Sequence, residues 1–68
     1  MTFSKRLKEL RNEDGITQKT LANAIGTTSD CIGFWENGRS EPSISEIIAL
    51  AKYFGVTTDY LLGIANSY

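Results

Sequence analysis

An all-α domain of five short helices is predicted by three features of this 68-residue chain. Apolar residues recur at spacings of three and four, so each run presents one stripe on a 3.6-residue period. Glycines at 15, 26, 38, 55 and 63 follow the runs, where a left-handed residue ends a helix. Serine or threonine precedes four of the runs, where a side-chain hydroxyl caps free backbone N–H groups. No segment alternates apolar and polar residues with a period of two, so no sheet is expected.

The first helix is expected from about Thr2 to Glu13, with Phe3, Leu7 and Leu10 on one stripe and Gly15 as its stop. Thr17 then caps a second helix over about Gln18 to Ile25, ended by Gly26. Thr27 or Thr28 caps a third, which lasts to about Glu36, with Asp30 in its first turn where a carboxylate favours the helix dipole. Asn37-Gly38 breaks the chain, and a polar loop carries the only proline, Pro42. Ser43-Ile44-Ser45-Glu46 is a capping box before an apolar run. Ile44, Ile47, Leu50, Ala51 and Phe54 are expected to form the buried stripe of that fourth helix, which Gly55 ends. Thr57 or Thr58 caps a short fifth helix around Tyr60, Leu61 and Leu62, closed by Gly63.

Several function classes are excluded by the totals. A chain of this size buries only roughly 60% of its unfolded surface, so helix packing or a partner subunit has to stabilise it. Cys31 is the only cysteine and there is no histidine, so neither an internal disulfide nor a structural zinc site is expected. The lone thiol suits a reducing cytosol. The longest apolar run, Ile47 to Ala51, is five residues, too short for a membrane span, and the charged N-terminus does not read as a signal peptide. A cytoplasmic protein without cofactor is expected. The net charge of −1 does not advertise nucleic-acid binding, but its distribution is uneven. Lys5, Arg6, Lys8 and Arg11 against Glu9 give residues 1–11 a net +3, whereas residues 40–68 carry −2.

Residues Thr17 to Gly38 carry the functional signal. Leu21, Ala22 and Ile25 on the first segment, and Ile32 and Trp35 on the second, stand where two crossing helices need apolar contacts around the turn at Gly26. That spacing is a helix-turn-helix, whose second helix is built to enter the DNA major groove.

The chain resembles the Cro and lambda-repressor-like, or XRE, DNA-binding domains over about Phe3 to Gly63. The resemblance rests on Arg6-Leu7-Lys8-Glu9-Leu10-Arg11, Ile16-Thr17-Gln18, Leu21-Ala22, Ile25-Gly26, Trp35-Glu36-Asn37-Gly38-Arg39, Glu41-Pro42-Ser43, Leu50-Ala51, Gly55-Val56 and Asp59-Tyr60-Leu61-Leu62-Gly63, in this order. It implies a five-helix lambda-repressor-like domain over 1–63, usually a homodimer on a palindromic operator and most often a repressor. By position, Gln18 matches the glutamine that anchors the second helix to a phosphate. Thr28, Ser29, Asp30 and Gly33 match the groove-facing side of the recognition helix, and Asn37 and Arg39 the backbone-touching loop. Ser29 stands where the family often carries glutamine, Phe34 replaces a position often polar or basic, and the recognition helix has no lysine or arginine.

Read individually, these residues keep alternatives open. Gln18 and the N–H groups beside it, with Thr17 and Lys19, form a phosphate grip, or Gln18 is an ordinary surface residue. Ser29 hydrogen-bonds any base and discriminates weakly. Asp30 either accepts from cytosine N4 or serves only the helix N-terminus. Gly33 marks a close approach of DNA, or a tolerated glycine costing about 0.5–1 kcal/mol against alanine. Phe34 contacts a thymine methyl or a sugar, or it joins the core edge or a protein interface. Arg39 is a phosphate clamp or pairs with Glu36 or Glu41, and Arg6 or Arg11 flanks DNA or pairs with Glu36. Residues 64–68 form a tail that either frays or packs in a two-fold dimer.

The expectation is a double-stranded-DNA-binding regulator of the phage or bacterial repressor type. The competing class is a protein-interaction module of the same fold, which would bind a regulatory protein partner as an antirepressor or antitoxin-like partner does. No nucleophile–base pair or metal cluster is present to support an enzyme.

Overall fold

The computed structural model describes residues 2–66, so Met1 and the last two positions of the expected tail, Ser67 and Tyr68, lie outside the described residues. Five helices follow in order: α1 (Thr2–Glu13), α2 (Gln18–Ile25), α3 (Ser29–Glu36), α4 (Ile44–Phe54) and α5 (Thr58–Leu61). Side chains start four of them. Thr17, Thr28, Ser43 and Thr57 each accept a hydrogen bond from the N–H three residues on, and Glu46 completes the Ser43 capping box. Thr28 and Thr57 are therefore the caps, not Thr27 and Thr58. Leu62 caps α5 in a right-handed conformation, one residue earlier than expected, and Gly63 follows at φ 80°.

The turn between α2 and α3 depends on Gly26. At φ 79° it occupies the left-handed region, which lets the Thr27 N–H return to Ala22 O at 2.9 Å. This closes α2 and redirects the chain within three residues.

One aliphatic side chain from each helix meets at the centre: Leu7, Leu21, Ile32, Leu50 and Leu61, each with no exposed surface. Phe3, Leu10, Ala22, Trp35 and Ala51 surround them, and Ile16, Ile25, Ile47 and Phe54 close the edges half-buried. α2 packs on α3 and α4, α1 packs on α3 and α5, and α4 also touches α5. The buried stripe expected on α4 needs one correction: Ile44 is 79% exposed. It is the first residue of α4, and helical Cβ atoms tilt towards the N-terminus, so its side chain projects past the end of the packed face.

Arg6 does not pair with Glu36. Its Nη1 donates to Tyr60 O at 2.8 Å and its guanidinium lies 4.0 Å from the Tyr60 ring centroid, which fixes α5 on α1.

The same joint constrains Gly63. A Cβ built there would lie 2.8 Å from Thr2 Cβ and closer still to Thr2 Cγ2, whereas at Gly55, also left-handed at φ 69°, it would meet nothing within 4 Å. Gly55→Ala is expected to cost about 1–2 kcal/mol for the left-handed conformation alone. Gly63→Ala is expected to cost more, because the first turn of α1 must also move. Thermal unfolding of the two variants should therefore rank Gly63→Ala below Gly55→Ala, and the reverse order would refute this account of the joint.

Candidate nucleic-acid interface

A buried carboxylate organises the helix-turn-helix. Glu36 ends α3 on its inward side, and only 2% of its side chain is exposed. Arg11 of α1 meets it in a two-pronged contact, with Nε to Oε2 at 2.6 Å and Nη2 to Oε1 at 3.1 Å. The remaining Arg11 nitrogen, Nη1, donates to Ile16 O at 2.9 Å. Hydrogen bonding to Glu36 raises the Arg11 pKa above its already high ordinary value, and burial offsets part of that rise. Gln18 Nε2 also donates to Glu36 Oε1, at 3.1 Å. One carboxylate thus joins α1, the turn into α2, the first residue of α2 and the last of α3.

The hydrogen bond decides which way Gln18 faces. A carboxylate only accepts, so the amide must turn its NH2 towards Glu36. One N–H and the carbonyl oxygen stay available on the other side. Gly33 lies beneath this amide: a Cβ there would meet Gln18 Oε1 at 3.6 Å and Nε2 at 3.7 Å. Those are ordinary contacts, so Gln18 lies against Gly33 without requiring a glycine.

Around Gln18 the sequence-predicted residues divide into two groups. Thr17 and Thr28 are structural as well as exposed, because their hydroxyls accept from Thr20 N at 3.1 Å and Cys31 N at 3.2 Å. The Thr17 hydroxyl also donates to Thr20 Oγ1 at 3.0 Å, so its bonding capacity is largely used. Asn37 is the right-handed C-cap of α3 and is exposed. The second group is open. Lys19 is exposed on α2, and Ser29 and Asp30 are exposed in the first turn of α3. Phe34 is 44% exposed one turn later, and Arg39 is exposed in the loop after α3. Arg39 makes no ion pair among the described residues, so the expected alternatives with Glu36 or Glu41 do not form. Burial of Ile32, Trp35 and Glu36 sets the rotation of α3 and turns Asp30 and Phe34 outwards together, whereas Ser29 is exposed as the first residue of the helix.

Cys31 sits half-buried in the first turn of α3, where side-chain hydrogen bonds with Thr27 and Thr28 lower its thiol pKa. Among the described residues no group of His, Cys, Asp or Glu could hold a metal ion, and no helix is long and apolar enough to cross a membrane. Sequence reasoning paired Arg11 with Glu36 as one option but missed the bond from Gln18. The available signal was the position of Glu36, one residue after Trp35 and four after Ile32, on the buried side of the helical wheel.

Comparisons with known proteins agree with this geometry. A helix-turn-helix family model matches residues 7–61. The SPbeta prophage-derived uncharacterized HTH-type transcriptional regulator YonR of Bacillus subtilis is 37% identical over 60 residues, covering 88% of this chain and 56% of that protein. For two other curated relatives the match spans 30% and 50% of their length, so the chain corresponds to about half of such proteins or less. The crystal structure of the P22 c2 repressor in complex with a synthetic operator aligns with a TM-score of 0.85 at 28% identity, covering 90% of this chain and 92% of that one. The restriction-modification controller protein C.AhdI of Aeromonas hydrophila aligns with a TM-score of 0.81 at 33% identity, over 88% and 91% of the two chains. With five helices, the capped turn at Gly26 and the outward-facing α3 all in place, the chain belongs to the XRE-type helix-turn-helix family, with the all-α fold of the lambda and P22 c2 repressors.

Proposed function

We propose that this chain is a sequence-specific, double-stranded-DNA-binding transcriptional regulator, a repressor that acts as a homodimer on a palindromic operator in the cytoplasm. The observation that carries the reading is the Gln18 amide, held by Glu36 between the N-terminus of α2 and the outward face of α3. The N–H groups of Gln18 and Lys19 lie in the first turn of α2, and with the second amide N–H they suit one phosphate oxygen. Arg39 and Lys19 add charge on either side, and Thr17, Thr28 and Asn37 hold the backbone that presents them. These contacts would position α3, leaving Ser29, Asp30, Gly33 and Phe34 to meet base edges. The P22 c2 repressor, solved in complex with a synthetic operator, supports the reading because its alignment covers 90% of this chain.

Dimerisation is supported by unpartnered apolar surface. Ile44, Ile48 and Ile64 are 79%, 43% and 73% exposed, and burial against a second copy would remove them from water. Two recognition helices about 34 Å apart would then enter successive major grooves. Repression follows from occupying a promoter.

Selection of duplexes from a random library, followed by titration at several salt concentrations, tests the reading. Saturable binding to one enriched palindrome is expected, with Arg39→Glu weakening it and making the log–log salt slope shallower by about one for the lost phosphate contact. Equal, weak binding to enriched and scrambled duplexes would overturn the regulator reading. For the dimer, sedimentation of the free protein and of its operator complex is expected to show two chains, and Ile48→Asp to shift the free protein towards monomer. A wild-type monomer that binds the site one chain at a time would refute it.

A further inference from the structure

The outward surface of α3 has unusual chemistry for a helix meant to lie in a polyanionic groove. Between Ser29 and Glu36 it carries no lysine or arginine, and its exposed side chains are Ser29, Asp30 and Phe34. The helix presents no amide or guanidinium to pair bidentately with adenine or guanine, and the Ser29 hydroxyl suits any base, so selective readout by α3 falls to a carboxylate and an exposed ring. Gly33 adds no side chain between them. The surface there is helix backbone with the Gln18 amide packed beside it.

The two groups select different base edges. An ionised carboxylate only accepts hydrogen bonds, and in the major groove only cytosine N4 and adenine N6 donate. Adenine sets its donor beside the N7 acceptor, and guanine offers N7 and O6, both of which repel a carboxylate. Cytosine is the base whose edge suits Asp30. The Phe34 ring has no polar atom, and the thymine C5-methyl is the one apolar group in the groove. Asp30 and Phe34 are four residues apart, about 6 Å along the helix axis, or just under two base-pair steps of about 3.4 Å.

We propose that Asp30 and Phe34 are the specificity-determining pair of this domain, and that each operator half-site contains a cytosine read by Asp30 with a thymine methyl packed on Phe34 one or two base pairs away. The inference rests on the DNA-binding reading and makes it specific. It also assigns Asp30 a second effect: its charge repels phosphates, so it lowers affinity for every wrong sequence and raises selectivity at the expense of overall affinity.

The test uses the duplex enriched by selection with the whole chain. Single thymines in each half-site are replaced by deoxyuridine, which removes the methyl group alone, and binding is followed by fluorescence anisotropy. At one thymine position per half-site the loss is expected to be about fourfold for each methyl removed, hence about sixteenfold for the wild-type dimer on a duplex substituted in both half-sites, each fourfold step being the contribution of one buried methyl-sized group. Phe34→Ala is expected to bind dT and dU duplexes equally, and Phe34→Leu, which keeps an apolar contact, to retain part of the discrimination. Asp30→Asn is expected to bind scrambled DNA more tightly than the wild type and to shift the preferred base from cytosine to adenine, the partner of an asparagine amide. A carboxylate that served only the helix N-terminus would leave that base preference unchanged. A selective operator with no dU-sensitive thymine, or with the same sensitivity in Phe34→Ala, overturns the proposal and leaves the DNA-binding reading intact. Failure of the folded protein to enrich any sequence overturns both.

Discussion

The Glu36 carboxylate is the constraint on which the arrangement of the helix-turn-helix depends. A carboxylate with 2% of its side chain exposed is stable as an anion only if paired and hydrogen-bonded. Arg11 supplies both the charge and two donors, and Gln18 supplies a third. Leaving either ion without its partner typically costs about 3–5 kcal/mol, so the two residues hold each other in place. The geometry is specific as well as stabilising. Arg11 also holds Ile16 O, so the turn entering α2 cannot shift relative to the end of α3 without breaking a charged hydrogen bond. The angle between the two helices of the motif, and the facing of Gln18, are therefore set from inside the protein.

Most of the helix boundaries were legible because they are written in local chemistry. Thr17, Ser43 and Thr57 accept the cap hydrogen bonds that their side chains suit, and the left-handed glycines at 15, 26 and 55 follow the helices they end. Local rules were less informative wherever the deciding partner was distant in sequence. Ile44 satisfied the apolar period of α4, yet its burial depended on whether another helix extends that far, and none does. Charge left Arg6, Arg11 and Arg39 all open as partners of Glu36, and both its pairing with Arg11 and its bond to Gln18 depend on how the helices cross, which periodicity does not determine. The Arg6 contact with Tyr60, 54 residues away, is of the same kind.

Charge behaves in the same divided way. The chain is net negative, and the sum conceals the arrangement that matters. Arg11 is committed to Glu36, and Arg6 to Tyr60 and more weakly to Glu9 at 4.0 Å. Lys19 and Arg39 stay exposed near the motif. A basic count along the first helix therefore overstates what is free to meet a polyanion. With Lys19 and Arg39 the exposed cations on and just after the motif of a net-negative chain, sequence-independent attraction there is limited, and in the proposed reading discrimination comes from the shape and chemistry of α3.

Such discrimination requires a rigid reading surface, and the size of the elements explains how one arises. Helices α2 and α3 are eight residues each and α5 only four, well below the roughly 12–15 residues at which an isolated helix becomes even marginally stable in water. None of them exists apart from the core. Because each helix contributes one fully buried aliphatic side chain to that core, loss of any one contact weakens all five helices together. The recognition helix is consequently present in its final orientation whenever the domain is folded. Its outward residues then meet a partner without a separate ordering cost, which is the condition under which a single ring and a single carboxylate become selective.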